Sequence, residues 1–200
     1  MPKEQFFKIK LSKREKIMLA ARAEFSSKPY EEVSINDIVE RSGISRGSFY
    51  LYFEDKWDIY SHLLKCTFDN IRGRMIESIA RGNNIFFTLL DVYDYIILES
   101  RTEESTGFIG LILEDITPAA YDKIYHVLEK DENKDFLNEY CFNRNHFTIQ
   151  TEIEFEILKK HLIMILAEHL TRVLVMKEDP NVVREELRIA YNILKYGSFK

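Results

Sequence analysis

Tight turns need glycine and proline, and this chain of 200 residues holds only 7 Gly and 4 Pro. A β-sandwich or barrel, with a turn after every short strand, is hard to build from so few. Neither Gly-x-Gly-x-x-Gly nor Gly-x-x-x-x-Gly-Lys occurs in the sequence, so the phosphate-cradling loops of Rossmann and P-loop folds are not expected. What remains is apolar spacing at a helical period, and the expected fold class is all-α. Hydrophobic residues at 46% and charged residues at 30% allow a buried core, which a disordered chain lacks.

The helices carry their own punctuation. Ser12 with Glu15 reads as a capping box ahead of a stripe through Ile17, Ala20, Ala21 and Phe25. Lys28-Pro29 stops that helix, because the residue before a proline is pushed out of the α region. Ser34 opens a second helix through Ile35, Ile38 and Val39, and Gly43 closes it in a left-handed turn. Ser45 caps a short third helix. A long helix then starts near Glu54-Asp55 and runs to about Ala80, where Gly82-Asn83-Asn84 ends it. Ile85 to Leu98 is apolar on almost every side, as in a buried central helix. Phe108 to Glu114 and a stretch opened by Thr117-Pro118 follow. Glu152 to Met176 and a helix capped by Asp179-Pro180 close the chain.

Two short helices joined by Ser42-Gly43-Ile44-Ser45 match a helix-turn-helix, whose second helix enters the DNA major groove. The side chains suit that task. Arg46 can donate a bidentate pair to guanine, and Ser48 can reach a base edge or a phosphate. Tyr50, Tyr52 and Lys56 carry donors for phosphate oxygens, and Gly47 lets the backbone come close. The net charge is −5, yet residues 1–16 hold 6 basic and 2 acidic side chains, an excess placed where phosphates would use it. No nucleophile–base pair, paired carboxylates or metal-ligand spacing stands out, so neither an enzyme nor a cofactor is expected. Residues 1–10 lack the apolar run of a signal peptide, and no segment is long and apolar enough to span a bilayer. Two cysteines make no disulfide framework. A cytoplasmic protein with no membrane partner is expected.

The run Gly43-Ile44-Ser45-Arg46-Gly47-Ser48-Phe49-Tyr50-Leu51-Tyr52-Phe53-Glu54-Asp55-Lys56 resembles the signature of the TetR family of transcriptional repressors. Arg14, Ile17, Ala20, Ala21, Phe25, Tyr30, Ser34, Ile35 and Ile38 fall where that family places its first two helices. The resemblance spans Ser12 to Tyr60 and departs at Lys28, where the family often has Gly, and at Val39, where it often has Ala. It implies a homodimeric all-helical repressor. An N-terminal three-helix helix-turn-helix domain, 1–60, would join through the long helix to a ligand-sensing and dimerisation domain, 61–200. Carried over by position, Ser45, Arg46, Ser48 and Tyr50 would line the groove, with Tyr52 and Lys56 on the DNA backbone. Ser34 and Gly47 complete the expected DNA-binding set.

The closing helices show two apolar stripes each, which calls for two partners. One side would pack on its own subunit and the other on a symmetry mate, as the family also implies. Phe155, Leu158, Leu162, Leu170, Val183, Leu187, Ala190 and Leu194 are the expected dimer interface, although the pattern leaves open which stripe faces the partner. An inducer pocket is expected from Phe86, Leu90, Tyr93, Ile97, Phe108, Ile112, Tyr121, Tyr125 and Phe147, with Glu114, His126 or Asn143 to orient a ligand. The expected function is a sequence-specific regulator, a repressor released from a palindromic double-stranded DNA operator by a small lipophilic or aromatic inducer. A dimeric DNA-binding adaptor without a small-molecule ligand is the alternative.

Overall fold

The computed structural model describes residues 1–100, 108–110, 112–113 and 151–197. Every regular element among them is helical. They are α1 (Glu4–Lys8), α2 (Leu11–Ser27), a 3-10 turn at Tyr30–Glu32, α3 (Ile35–Ser42), α4 (Arg46–Tyr52), α5 (Lys56–Ala80) and α6 (Ile85–Glu99). Near the end of the chain follow α7 (Glu152–Leu174) and α8 (Pro180–Tyr196). Two compact units divide inside α5, between Asp69 and Asn70.

In the first unit the short helices start and stop where local chemistry places them. The Ser34 hydroxyl accepts the Asn36 N–H at 3.1 Å, and the Ser45 hydroxyl accepts the Ser48 N–H at 3.1 Å. Gly43 takes φ +67 at the end of α3, which lets the Ile44 N–H reach the Val39 carbonyl at 3.1 Å. The start of α2 departs from expectation. Helix α1, which the periodicity did not reveal, ends at Lys8, and the extended Ile9 and Lys10 turn the chain directly into α2 at Leu11. Lys10 therefore holds the cap position without a side-chain bond, Ser12 is already helical, and no Ser12–Glu15 capping box forms.

The first core gathers Phe6, Ile17, Ala21, Phe25, Ile38, Phe49, Phe53, Ile59 and Leu63. Phe6 supplies the floor beneath the end of α4, with its ring 4.9 Å from Phe53 and 5.8 Å from the His62 ring. An ionic cluster ties α2 to α3. The buried Glu24 carboxylate accepts from Arg41 at 2.7 Å, and Lys28 bridges Glu24 and Asp37. The bond to Asp37 holds the Lys28 ammonium above its ordinary pKa, against the opposing pull of desolvation.

The second unit contains α6, α7, α8 and the end of α5. Tyr93 on α6 donates to the Pro180 carbonyl at 2.8 Å, and Arg184 grips Asp94 through two bonds of 2.6 and 2.7 Å. Burial, then the neighbouring Asp94, push the Tyr93 hydroxyl up to about 12, so it stays a neutral donor. The Tyr191 hydroxyl donates to the Leu162 carbonyl at 3.1 Å and pins α8 on α7. Thr151 and Glu154 form the capping box that opens α7. Phe87 and Leu98 stand exposed on α6, so that helix is not buried on every side.

Of the residues expected at the dimer interface, Phe155, Leu162, Leu170, Val183 and Leu187 are buried within the single chain. Leu158 and Ala190 are half-buried, and of the expected set only Leu194 is exposed. The outer side instead carries Ile153, Ile157, Ile163 and Met164 on α7, with Val182, Ile189, Ile193 and Tyr196 on α8. Packing on α7 draws on both stripes, burying Phe155 and Leu162 from one and Leu170 and Leu174 from the other. The described members of the expected pocket fall in both units. Phe86 is half-buried, and Leu90, Tyr93 and Ile97 are buried, in the second unit. Phe86 meets the Tyr191 ring edge-on at 6.1 Å. Phe108 and Ile112 belong to the core of the first unit, where Phe108 lies 5.8 Å from the Tyr60 ring. Glu114, Tyr121, Tyr125, His126, Asn143 and Phe147 lie outside the described residues.

Candidate nucleic-acid interface

Helix α4 buries Phe49 and Tyr52 and turns Ser45, Arg46, Gly47 and Tyr50 outward, with Ser48 half-buried beside them. The Arg46 guanidinium is already organised. It donates to the Asn36 amide oxygen on α3 and to the Tyr50 hydroxyl at 3.4 Å, and lies 5.7 Å from the Tyr50 ring centre. Such anchoring lowers the side-chain entropy that a bidentate contact to a base would cost. The Ser45 and Ser48 hydroxyls bond each other at 2.9 Å. Each keeps further hydrogen-bonding capacity toward an outside group. Ser34 is half-buried and occupied as the α3 cap.

Two members of the expected set are engaged by the protein itself. Tyr52 is 7% exposed and its hydroxyl accepts from Lys13 at 3.3 Å. The Lys56 ammonium donates to the carbonyls of Tyr30, Glu31 and Val33 at 2.6, 3.2 and 3.0 Å and sits 4.3 Å from the Tyr30 ring centre. Three donors meet three carbonyls, so Lys56 binds the 3-10 turn to the start of α5.

Three residues near this face escaped the sequence reading. Asn36 holds Arg46, as above. Lys3 donates its N–H to the Tyr52 carbonyl at 2.8 Å and its ammonium to the Tyr50 carbonyl at 3.0 Å, closing the C-terminal end of α4. Leu51 stands 59% exposed on α4.

An outward helix with an organised arginine, two hydroxyls and a bare glycine, following a short helix across a glycine turn, defines a helix-turn-helix regulator. Residues 17–63 match the family described as bacterial regulatory proteins, tetR family. The HTH-type transcriptional regulator YvdT of Bacillus subtilis (strain 168) is 34% identical over 137 residues, covering 63% of this chain and 68% of that protein. The chain belongs to the TetR family. The biofilm operon icaADBC negative transcriptional regulator IcaR of Staphylococcus aureus (strain Newman) is 25% identical over 134 residues, 60% of this chain and 72% of that protein. Among solved structures, FadR from Bacillus subtilis in complex with stearoyl-CoA shares the fold, with a TM-score of 0.69 at 20% identity, over 92% of this chain and 99% of that one.

Proposed function

We propose that this protein is a homodimeric repressor that reads a palindromic DNA operator through α4 and leaves it when a small lipophilic molecule binds the second unit. The outward face of α4 carries the reading, with Arg46 organised toward a base and Ser45, Ser48 and Tyr50 beside it. The negative regulator among the relatives supports repression rather than activation. The uncovered aliphatic face of α7 and α8 supports a dimer, since a patch of that kind marks a protein contact. A two-fold dimer reads half-sites about one helical turn, or a multiple, apart. Its place is the cytoplasm, where such an operator is found.

The inducer reading draws on the apolar side chains that α6 buries and on the acyl-CoA bound to the B. subtilis FadR neighbour. A ligand releases DNA only if it binds better to a conformation whose reading helices no longer fit the operator. Fluorescence titration of an operator selected from random duplexes, with and without long-chain acyl-CoA, tests both halves. Saturable binding to one palindrome, weakened by the thioester, is the expected result. A thioester that raises the melting temperature and leaves operator affinity unchanged removes acyl-CoA as the inducer. Binding that ranks all duplexes equally removes the sequence-specific reading.

A further inference from the structure

We propose that Gly47 and Leu51 form a notch on α4 that seats the C5-methyl group of a thymine in each operator half-site, which makes Leu51 a specificity-determining residue. The inference rests on the DNA-binding reading and names a base that the reading alone does not.

Gly47 is the starting point. It stands in the first turn of α4, where alanine would form helix more readily. Its backbone is not in the left-handed region, which among the described glycines holds only Gly43, Gly82 and Gly197. A Cβ built on Gly47 meets nothing closer than the Ser45 hydroxyl at 3.9 Å, an ordinary contact. The chain therefore accepts an alanine here, and the missing side chain answers to something outside it. On a reading helix that something is DNA approaching the backbone.

Leu51 lies one turn further along the same side of the helix, four residues on. At 59% exposure it is a large aliphatic group facing water on a helix that buries Phe49 and Tyr52. It cannot bond a phosphate or a polar base edge. Of the groups that base pairs present in the major groove, the thymine methyl is the apolar one. The gap at Gly47 brings the helix close, and Leu51 forms the wall that covers the methyl. Arg46 and Tyr50 occupy the adjoining polar stripe and remain free to meet a neighbouring base.

The experiment uses the full chain and the duplex it selects from a random library, replacing each thymine in one half-site by deoxyuridine in turn. Only a methyl group is lost. Wild type should bind about fourfold more weakly at one position, the worth of one buried methyl group. Leu51→Ala should bind the thymine and deoxyuridine duplexes equally, with its melting temperature kept. Gly47→Ala should raise the melting temperature and yet weaken operator binding, a pairing that a purely structural glycine would not give. Indifference of wild type to every deoxyuridine overturns the inference, as does an unchanged loss in Leu51→Ala. Failure to select any duplex overturns the DNA-binding reading together with it, so the two failures are told apart.

Discussion

Two helix pairs in this protein are built alike on the inside and differently on the outside. Helices α3 and α4 bury Ile38, Phe49 and Tyr52 and leave Arg46, Gly47 and Tyr50 in water. Helices α7 and α8 bury Phe155, Leu162, Val183 and Leu187 and leave Ile153, Ile157, Ile189 and Ile193 in water. Each pair first fills its own core, so the inward stripe says little about function. What remains outside differs in kind. The first face carries directional donors around a gap, which suits hydrogen-bonded recognition of a polar groove. The second carries aliphatic side chains, which gain only by meeting another apolar surface.

The contrast between inner and outer faces can be broken at α8. Leu187→Ala should cost about 2–5 kcal/mol in urea unfolding, because its side chain is 0% exposed and the variant leaves a cavity. Ile193→Ser on the outer side should barely change the unfolding of a single chain and should shift sedimentation toward monomer. Equal behaviour of the two variants would erase the distinction. On α4, Arg46→Ala should lose about 1–3 kcal/mol of operator binding, confined to one base position, with an unaltered melting temperature.

Lys56→Ala sharpens the comparison within the first unit, since it removes a cation bonded to the chain's own carbonyls. Loss of its hydrogen bonds should lower stability by about 1–2 kcal/mol and leave the salt dependence of DNA binding unchanged. A flatter salt dependence at full stability would return Lys56 to the phosphates. The smallest effect is a pH dependence at His62. Burial, then the positive charges of the Met1 amino group and Lys65, lower this imidazole below its usual 6.5. The folded chain thus resists a proton that the unfolded chain accepts. Its contribution to stability is full above about pH 6.5 and declines as the pH falls below that value. Melting curves at stepped pH should show the decline in wild type and a shallower one in His62→Phe.

The caps of α3 and α4 were legible because Ser34, Gly43 and Ser45 act on atoms two to five residues away. The role of Lys56 was not, since its carbonyl partners lie 23 to 26 residues upstream. A signature motif aligned it with DNA, and only folding shows where its ammonium goes. Helix α1 is 5 residues long, too short for a periodic pattern to declare itself. The stripes of α7 and α8 were both visible, but the buried face of α7 takes residues from each, which only packing decides.

The two bonds from Lys3 to the end of α4, with Phe6 beneath it, bear on how this protein can be re-engineered. A chimera that transplants only residues 17–63, the stretch that matches the family, would carry α4 without the Lys3 donors that bond the carbonyls of its last turn. It would also leave an aromatic-sized hole beneath Phe53. A graft that begins at Lys3 transfers the helix together with its support, and the sequence preference should travel with it.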